Sequence, residues 1–432
     1  MPIILITLIG LVLRLISLNQ SLWLDEATSA LVARMPIADI FSKFLPGDFH
    51  PPLYYLILKG WVMLLGSSEV ILRIPSVIFG LITICIVFLI AEKLFNRRVG
   101  LIASSLMATS GLAIYYSQEA RMYGLAALLV SCLVYLFLRE KWFYFSMVLV
   151  LVGATDYVSL FVIPIFIIVG WKDIKKLVLS FIPLTVSYLF WFPIFIKQLG
   201  SGLSVHGSAW WGLLGTSTLK NAVLIPVKFI LGRISFDNKL LYGVVVAIVF
   251  FLFGFLLWKA RKVSRILWLW LMLPIVLGVL VSLKIPSLSY FRFLFCLPAF
   301  YILIAEGIQN SGKYRNLFWG LVIGVNILTS GYYLVDSKFH REDWRRAASV
   351  VGEDKVVFPA ATQKEALIYY GKGDQIINAS QITPNDKVIW LSRYVWEIFD
   401  PGDLARKSVE ALGYNKTSEY NFNGVVFWKC TK

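Results

Sequence analysis

Two carboxylates stand side by side in LWLDEA, at Asp25 and Glu26, directly after an apolar run that ends near residue 18. Adjacent acids repel, which raises one pKa toward the range where a carboxylate takes a proton from a hydroxyl. A plainer role also suits them, because carboxylates at a helix start complement its macrodipole. Further along, YYSQEARMYG (115–124) gathers Gln118, Glu119, Arg121 and Tyr123. Arg121 offers the planar fork of donors that suits a phosphate, or it pairs with Glu119 and stitches two helices together. Arg73, in LRIPS, either snorkels to an interface or contacts an anion, and Arg292, in YFRFLF, is a third such cation. His50 in HPPLYY and Asp156 in GATDY complete the set, and each is either a loop or structural group or a substrate contact. Asp25, His50 and Glu119 are side chains of the types that hold a divalent cation, but no spacing among them demands one. No other cofactor is implied.

The elements that carry these residues are membrane helices. The chain of 432 residues is 58% hydrophobic and only 15% charged, too apolar for its side chains to cover a water-facing surface. Apolar runs of about 17–20 residues recur, each long enough to cross a hydrocarbon core of about 30 Å as helix. The net charge of +16 does not make it a nucleic-acid binder. Its basic residues sit in short links such as EKLFNRRVG (92–100), WKDIKK (171–176) and WKARKVSR (258–265), the pattern of cytoplasmic loops. Cys85, Cys132, Cys296 and Cys430 show no paired spacing and suit packing. The first run, 2–18, lacks a basic leader and a cleavage site and is kept as a span, with Arg14 snorkelling or packing inside it.

Placing the basic links inside gives a threading of about eleven spans. The N-terminus is cytoplasmic, and 19–69 and 197–239 are long outer loops. Residues 101–116 form one span. The stretch 142–170 is too long for one span and short for two; a pair of short helices meeting at 153–157 keeps every later basic link inside and recesses Asp156 in a cavity. In the first outer loop, 51–66 is expected to lie along the membrane surface. The Gly/Ser-rich stretch 201–212 is expected to be a mobile loop in which His206 is incidental. The fold class is thus an all-α polytopic membrane domain (1–335) followed by a small α/β domain (336–432) outside the membrane.

With this threading Asp25, Glu26, His50, Arg73, Gln118, Glu119, Arg121, Asp156 and Arg292 gather on the outer side, as ionisable groups around a functional cavity do. By these residues alone, an enzyme acting on a lipid phosphate and a transporter both remain open. The ordered motifs LWLDEA, HPPLYYLILKGWVMLLGSSEVILRIPSVIFG and YYSQEARMYG resemble the GT-C superfamily of membrane glycosyltransferases. They are most similar to its branch of protein O-mannosyltransferases and lipid A aminoarabinose transferases. The resemblance is strongest over 8–140 and weaker through 290–308 and REDWRRAA (341–348).

It implies inverting transfer of a sugar from a polyprenyl-phosphate-linked donor to a hydroxyl acceptor outside the cytoplasm, and the compact size of the chain suits a plasma membrane. Asp25 matches the family's catalytic carboxylate, with Glu26 as its helper. Arg121, then Arg73 and Arg292, would hold the donor phosphate. His50, Gln118, Glu119, Tyr123 and Asp156 would contact substrate. The alternatives are a flippase for polyprenyl-linked sugars, which should show inverted repeats and polar groups on both sides, and a ligase that uses diphosphate-linked donors.

Overall fold

The computed structural model describes residues 2–206, 211, 214–262, 264–359 and 363–432. They form two compact units: 1–16, 36–57 and 73–336 make the first, and 17–35, 58–72 and 337–432 the second. The second unit therefore takes in, besides the C-terminal tail, two stretches of the long first loop.

The first unit is helical. Among the described residues, five helices are long and apolar enough to cross a membrane: Glu69–Leu94, Trp171–Ser204, Lys239–Lys259, Tyr290–Gln309 and Gly312–Val335. The pair Arg97–Thr109 and Gly111–Ser117, bent by 60°, adds a sixth if taken as one span. The count expected from apolar runs is not reached by this measure, because several runs outlast their helices. The first run continues to residue 18, yet its helix Pro2–Leu15 has 14 residues, a rise of about 21 Å.

The bend is the main departure from the expected single span at 101–116. Ser110 leaves helical geometry, and its hydroxyl accepts from the Ala113 N–H as an N-cap. A new helix start leaves the preceding carbonyls without intrahelical donors. Arg14, fully buried, supplies them: its guanidinium donates to the carbonyls of Ala108 (3.0 Å) and Met107 (3.4 Å), to Ser117 Oγ (3.0 Å) and to the Gly10 carbonyl. Arg14 thus packs inside the helices and does not snorkel.

The interruption expected at 153–157 is present. Trp142–Gly153 ends there, a 3₁₀ turn spans Val158–Val162, and Ile163–Val169 follows. Asp156 sits in the break, its carboxylate accepting from the Ser159 N–H (3.1 Å) and Oγ (2.9 Å). The next helix, Ile174–Ser204, runs past its expected end at 196. A further helix, Leu219–Leu231, begins on a Thr218 cap within the second long loop. Part of the expected mobile stretch, 207–210 and 212, lies outside the described residues. One close approach fixes the packing: a Cβ on Gly307 would meet the Leu256 carbonyl at 2.1 Å, so the helix Leu297–Gln309 accepts only glycine there.

The second unit contains a five-stranded sheet of order β2-β1-β3-β5-β4, from β1 (Lys355–Val357), β2 (Ile376–Ile377), β3 (Val388–Ser392), β4 (Asn415–Phe422) and β5 (Val425–Thr431). β1 runs parallel to β2 and β3, whereas β5 is antiparallel to β3 and β4. The β4–β5 hairpin turns on Asn423-Gly424, both at positive φ (53° and 97°), as a tight hairpin requires. Val357, Ile389, Leu391, Val409, Tyr414 and Cys430 form the sheet's core, so the expectation of a small α/β module is met. The helix Leu24–Arg34, which begins beside Asp25, belongs to this unit and packs on the helix Glu365–Tyr369.

Candidate functional site

In the second unit, Asp25 and Glu26 occupy the first turn of Leu24–Arg34. Successive helical residues point about 100° apart, and the two carboxylates take different surroundings. Glu26 is completely buried and lies 3.2 Å from Nε of Arg341, itself buried. Asp25 is partly exposed. Sequence adjacency suggested a helper pair; the helix instead commits Glu26 to an ion pair with Arg341. Asp25 acts on a different neighbour, Tyr394. Burial, then Glu342 and the charge of Asp25, push that phenol far above its ordinary pKa, and it donates to Glu342 at 2.8 Å. Glu69 is held by Arg345 (2.8 Å) and by the Tyr370 hydroxyl (3.1 Å).

In the first unit the loop before HPPLYY supplies a residue that sequence reasoning missed. Asp48 accepts from the Tyr55 hydroxyl (2.8 Å) and lies 3.5 Å from Nδ1 of His50. The Tyr55 hydroxyl in turn accepts from Arg121 at 3.5 Å. Burial would raise the Asp48 pKa, but His50, Arg121 and the Tyr55 hydrogen bond outweigh it and hold the group ionised. The DxH spacing was the only local signal for Asp48. Its partners Tyr55 and Arg121 lie on other elements. Gln198 fixes the same loop from a distance, donating to the carbonyls of Leu45 (2.7 Å) and His50 (3.0 Å).

The YYSQEARMYG turn is buried throughout. Ser76 donates to the Glu119 carbonyl at 2.6 Å. Gln118 donates to the carbonyls of Arg14 and Ile16 and accepts from the Tyr333 hydroxyl. Three bonds to protein leave that amide little to offer a substrate, so Gln118 serves as a brace. Tyr123 packs its ring against Tyr116 and Phe291. Arg73 is fully buried in the second turn of its helix.

Asp156 and Arg292, far apart in sequence, line one cavity of about 210 Å³ whose other walls include Tyr157, Gln198, Phe49 and Phe195. Among the described residues, the buried Nε of Arg292 has no hydrogen-bond partner. The expectation that Asp156 lies in a cavity is therefore matched by an arginine in the same space. Among the described residues no three His, Cys, Asp or Glu side chains come together as a metal-holding group, and His50 has Asp48 as its acidic neighbour.

Two further cations were not anticipated. Arg233 stacks over the Tyr115 ring at 4.6 Å and makes no ion pair among the described residues. Desolvation works against its charge, but Tyr115, Tyr290, Tyr116 and Glu119 more than offset it. Lys228, which donates to the Ile234 carbonyl (3.2 Å), has its pKa pulled down to about 8 by burial and by Arg233. Two basic groups in mutual repulsion form a place for an anion. Lys228 loses its proton as pH rises through about 8. Binding of inorganic phosphate or a lipid phosphate to wild type should therefore weaken above that pH, and Lys228→Ala should flatten the profile. A pH titration of phosphate affinity by calorimetry checks this, and an unchanged profile in Lys228→Ala would remove Lys228 from the site.

Against this geometry the comparisons with known proteins are specific. Residues 49–199 match the family model described as dolichyl-phosphate-mannose-protein mannosyltransferase. The structure of ArnT from Cupriavidus metallidurans in the apo state superposes with a TM-score of 0.61 at 12% identity, covering 99% of this chain and 97% of that one. In fold, therefore, the chain is similar to this membrane protein along nearly its whole length. The same ArnT bound to undecaprenyl phosphate gives a TM-score of 0.59, again at 12% identity with 99% and 97% covered. The apo oligosaccharyltransferase of Archaeoglobus fulgidus gives 0.53 at 12% identity, covering 99% of this chain and 74% of that one. No curated protein matches the chain in sequence. The matched stretch 49–199 contains His50, Tyr55, the buried YYSQEARMYG turn and Asp156. Asp25 and Arg233 lie outside it.

Proposed function

We propose that the protein moves a sugar from a polyprenyl-phosphate-linked donor to a hydroxyl acceptor, with inversion, on the extracytoplasmic side of a plasma membrane whose cytoplasmic face carries the N-terminus. The observation that carries the reading is the pair Arg233 and Lys228 in the first unit, which make no ion pair among the described residues and suit a phosphate. A GT-C fold and the lipid phosphate named in the ArnT complex point to the same donor class.

The reaction follows from the chemistry of the residues. The acceptor oxygen attacks the anomeric carbon from the face opposite the lipid phosphate. The bond from that carbon to the phosphate oxygen breaks, and the acceptor proton passes to Asp25. Charge collects on the leaving phosphate, so cations there stabilise the transition state more than the ground state. Arg121 and Arg233 take this role, with Arg73 and Arg292 as further cations. Asp48, through Tyr55, orients Arg121.

Native mass spectrometry of the purified protein in lipid nanodiscs tests the reading. Added polyprenyl-phosphate sugar should return as bare polyprenyl phosphate once acceptor is supplied. If the sugar stays on its lipid while the lipid crosses the bilayer, the protein is a flippase and the transfer reading is wrong.

A further inference from the structure

Besides the cavity at Asp156, the molecule has a second space of a different character. It lies within the second unit, measures about 560 Å³, and is walled by Asn19, Gln20, Arg341, Arg345, Arg346 and Asn423 among others. That volume falls in the range of small-ligand sites, but its lining is unusually polar. It carries guanidinium groups, carboxamides and Asp343, with Phe422 as an apolar wall.

The charges decide what such a cleft can hold. Three arginines suggest an anion site, yet their charge is compensated. Arg341 is paired with Glu26 at 3.2 Å and Arg345 with Glu69 at 2.8 Å. Arg346 has no such partner, but Asp343, which also lines the space, supplies a third negative charge there. Without net charge the cleft gives a phosphate no long-range attraction. A peptide would want apolar pockets, and the cleft has one aromatic wall. What remains is a dense array of planar donors and acceptors with one aromatic residue on the wall, which matches a neutral polyhydroxylated ligand: hydroxyl groups for the amides and guanidinium forks, and little apolar surface to fill.

The cleft is also built to stay in shape. Asn423 Nδ2 donates to three backbone carbonyls, at Ser337, His340 and Arg341. Gln20 accepts from the Arg341 N–H (3.0 Å), and the Arg345 guanidinium holds the Asn19 carbonyl (2.7 Å). Two groups remain for a ligand: among the described residues, the side chains of Asn19 and Arg346 make no hydrogen bond or ion pair, and both are exposed. Ser21, on the wall, is four residues from Asp25 in the same unit, a chain reach of at most about 14 Å.

We infer that this cleft binds the acceptor, and that the acceptor is a glycan whose sugar units lie along Asn19, Arg345 and Arg346 while its terminal hydroxyl reaches Asp25. The inference rests on the transfer reading and narrows its acceptor to one class.

The test uses the full chain in nanodiscs, donor carrying a radiolabelled sugar, and the protein, lipid and polysaccharide fractions of the envelope of cells that carry it. Label should enter the polysaccharide fraction and resist both protease and organic solvent. The double variant Asn19→Ala, Arg346→Ala removes only exposed side chains, so it should keep the wild-type Tm. It should raise the apparent KM for that fraction roughly ten-fold, as loss of two hydrogen bonds implies, with kcat recovered at high acceptor. Label entering protein or lipid, or an unchanged KM in the double variant, overturns the assignment. If no fraction is labelled, the transfer reading fails by itself, and saturation-transfer NMR with the polysaccharide fraction then judges the cleft separately. A signal lost in the double variant keeps the glycan site, and no signal from wild type discards it.

Discussion

Asp25→Asn should lower kcat for sugar transfer by about 100- to 10,000-fold, the span that a positioned general base contributes, while the protein keeps its Tm and its affinity for polyprenyl phosphate. Asparagine has the shape of aspartate but cannot take the acceptor's proton. The loss should therefore fall on kcat and kcat/KM together and leave donor binding alone, as for an interaction made only in the transition state. The size of the effect also separates the two roles open to this residue. Asp25 stands in the first turn of Leu24–Arg34, where its charge complements the helix macrodipole by about 0.3–1 kcal/mol. Losing that alone would cost a factor of about two to five. Single-turnover transfer with the donor pre-bound measures the step, and a variant within five-fold of wild type would reduce Asp25 to a helix-end charge.

What the sequence conveyed, and what it withheld, follows the range of the interactions. The break at 153–157 was legible because a 29-residue apolar stretch, 142–170, fits neither one span nor two. The small α/β module was legible from alternation within short segments. The bend at Ser110 was not, because the apolar run continues across it. The compensating group, Arg14, arrives from 94 residues away to take the Ala108 carbonyl. Asp48 was passed over for its neighbour His50, since its importance comes through Tyr55, which itself meets Arg121 across 66 residues. Arg233 and Lys228 sat in what looked like plain loop, and only folding brings Tyr115, Tyr290 and Glu119 around the arginine. Adjacency misled once: Asp25 and Glu26 are neighbours in the chain, but the helix separates their environments.

That separation leads to the second large effect. Arg341→Ala should destabilise the protein by about 3–5 kcal/mol, the cost of leaving a buried charge without its partner. Both side chains are almost wholly buried, at 1% and 0% exposure, so solvent cannot replace the missing cation. The contrast is Arg406 with Glu410, 34% and 45% exposed on a helix, whose loss should cost only about 0.3–0.5 kcal/mol. Thermal unfolding in nanodiscs measures both, and a Tm for Arg341→Ala no lower than that of Glu410→Ala would refute the buried pair. Replacing both partners, with Glu26→Leu and Arg341→Met, should recover most of the stability, since apolar residues of similar volume often match a buried pair. The recovery then separates stability from positioning. Glu26 is bonded along the chain to Asp25, so its ion pair anchors the helix start that presents the proposed base. If the double replacement regains Tm but still transfers sugar slowly with unchanged donor affinity, the pair holds Asp25 in place for the reaction. If Tm and kcat return together, the pair is only a buried tie, and the placement of Asp25 depends on the rest of its helix.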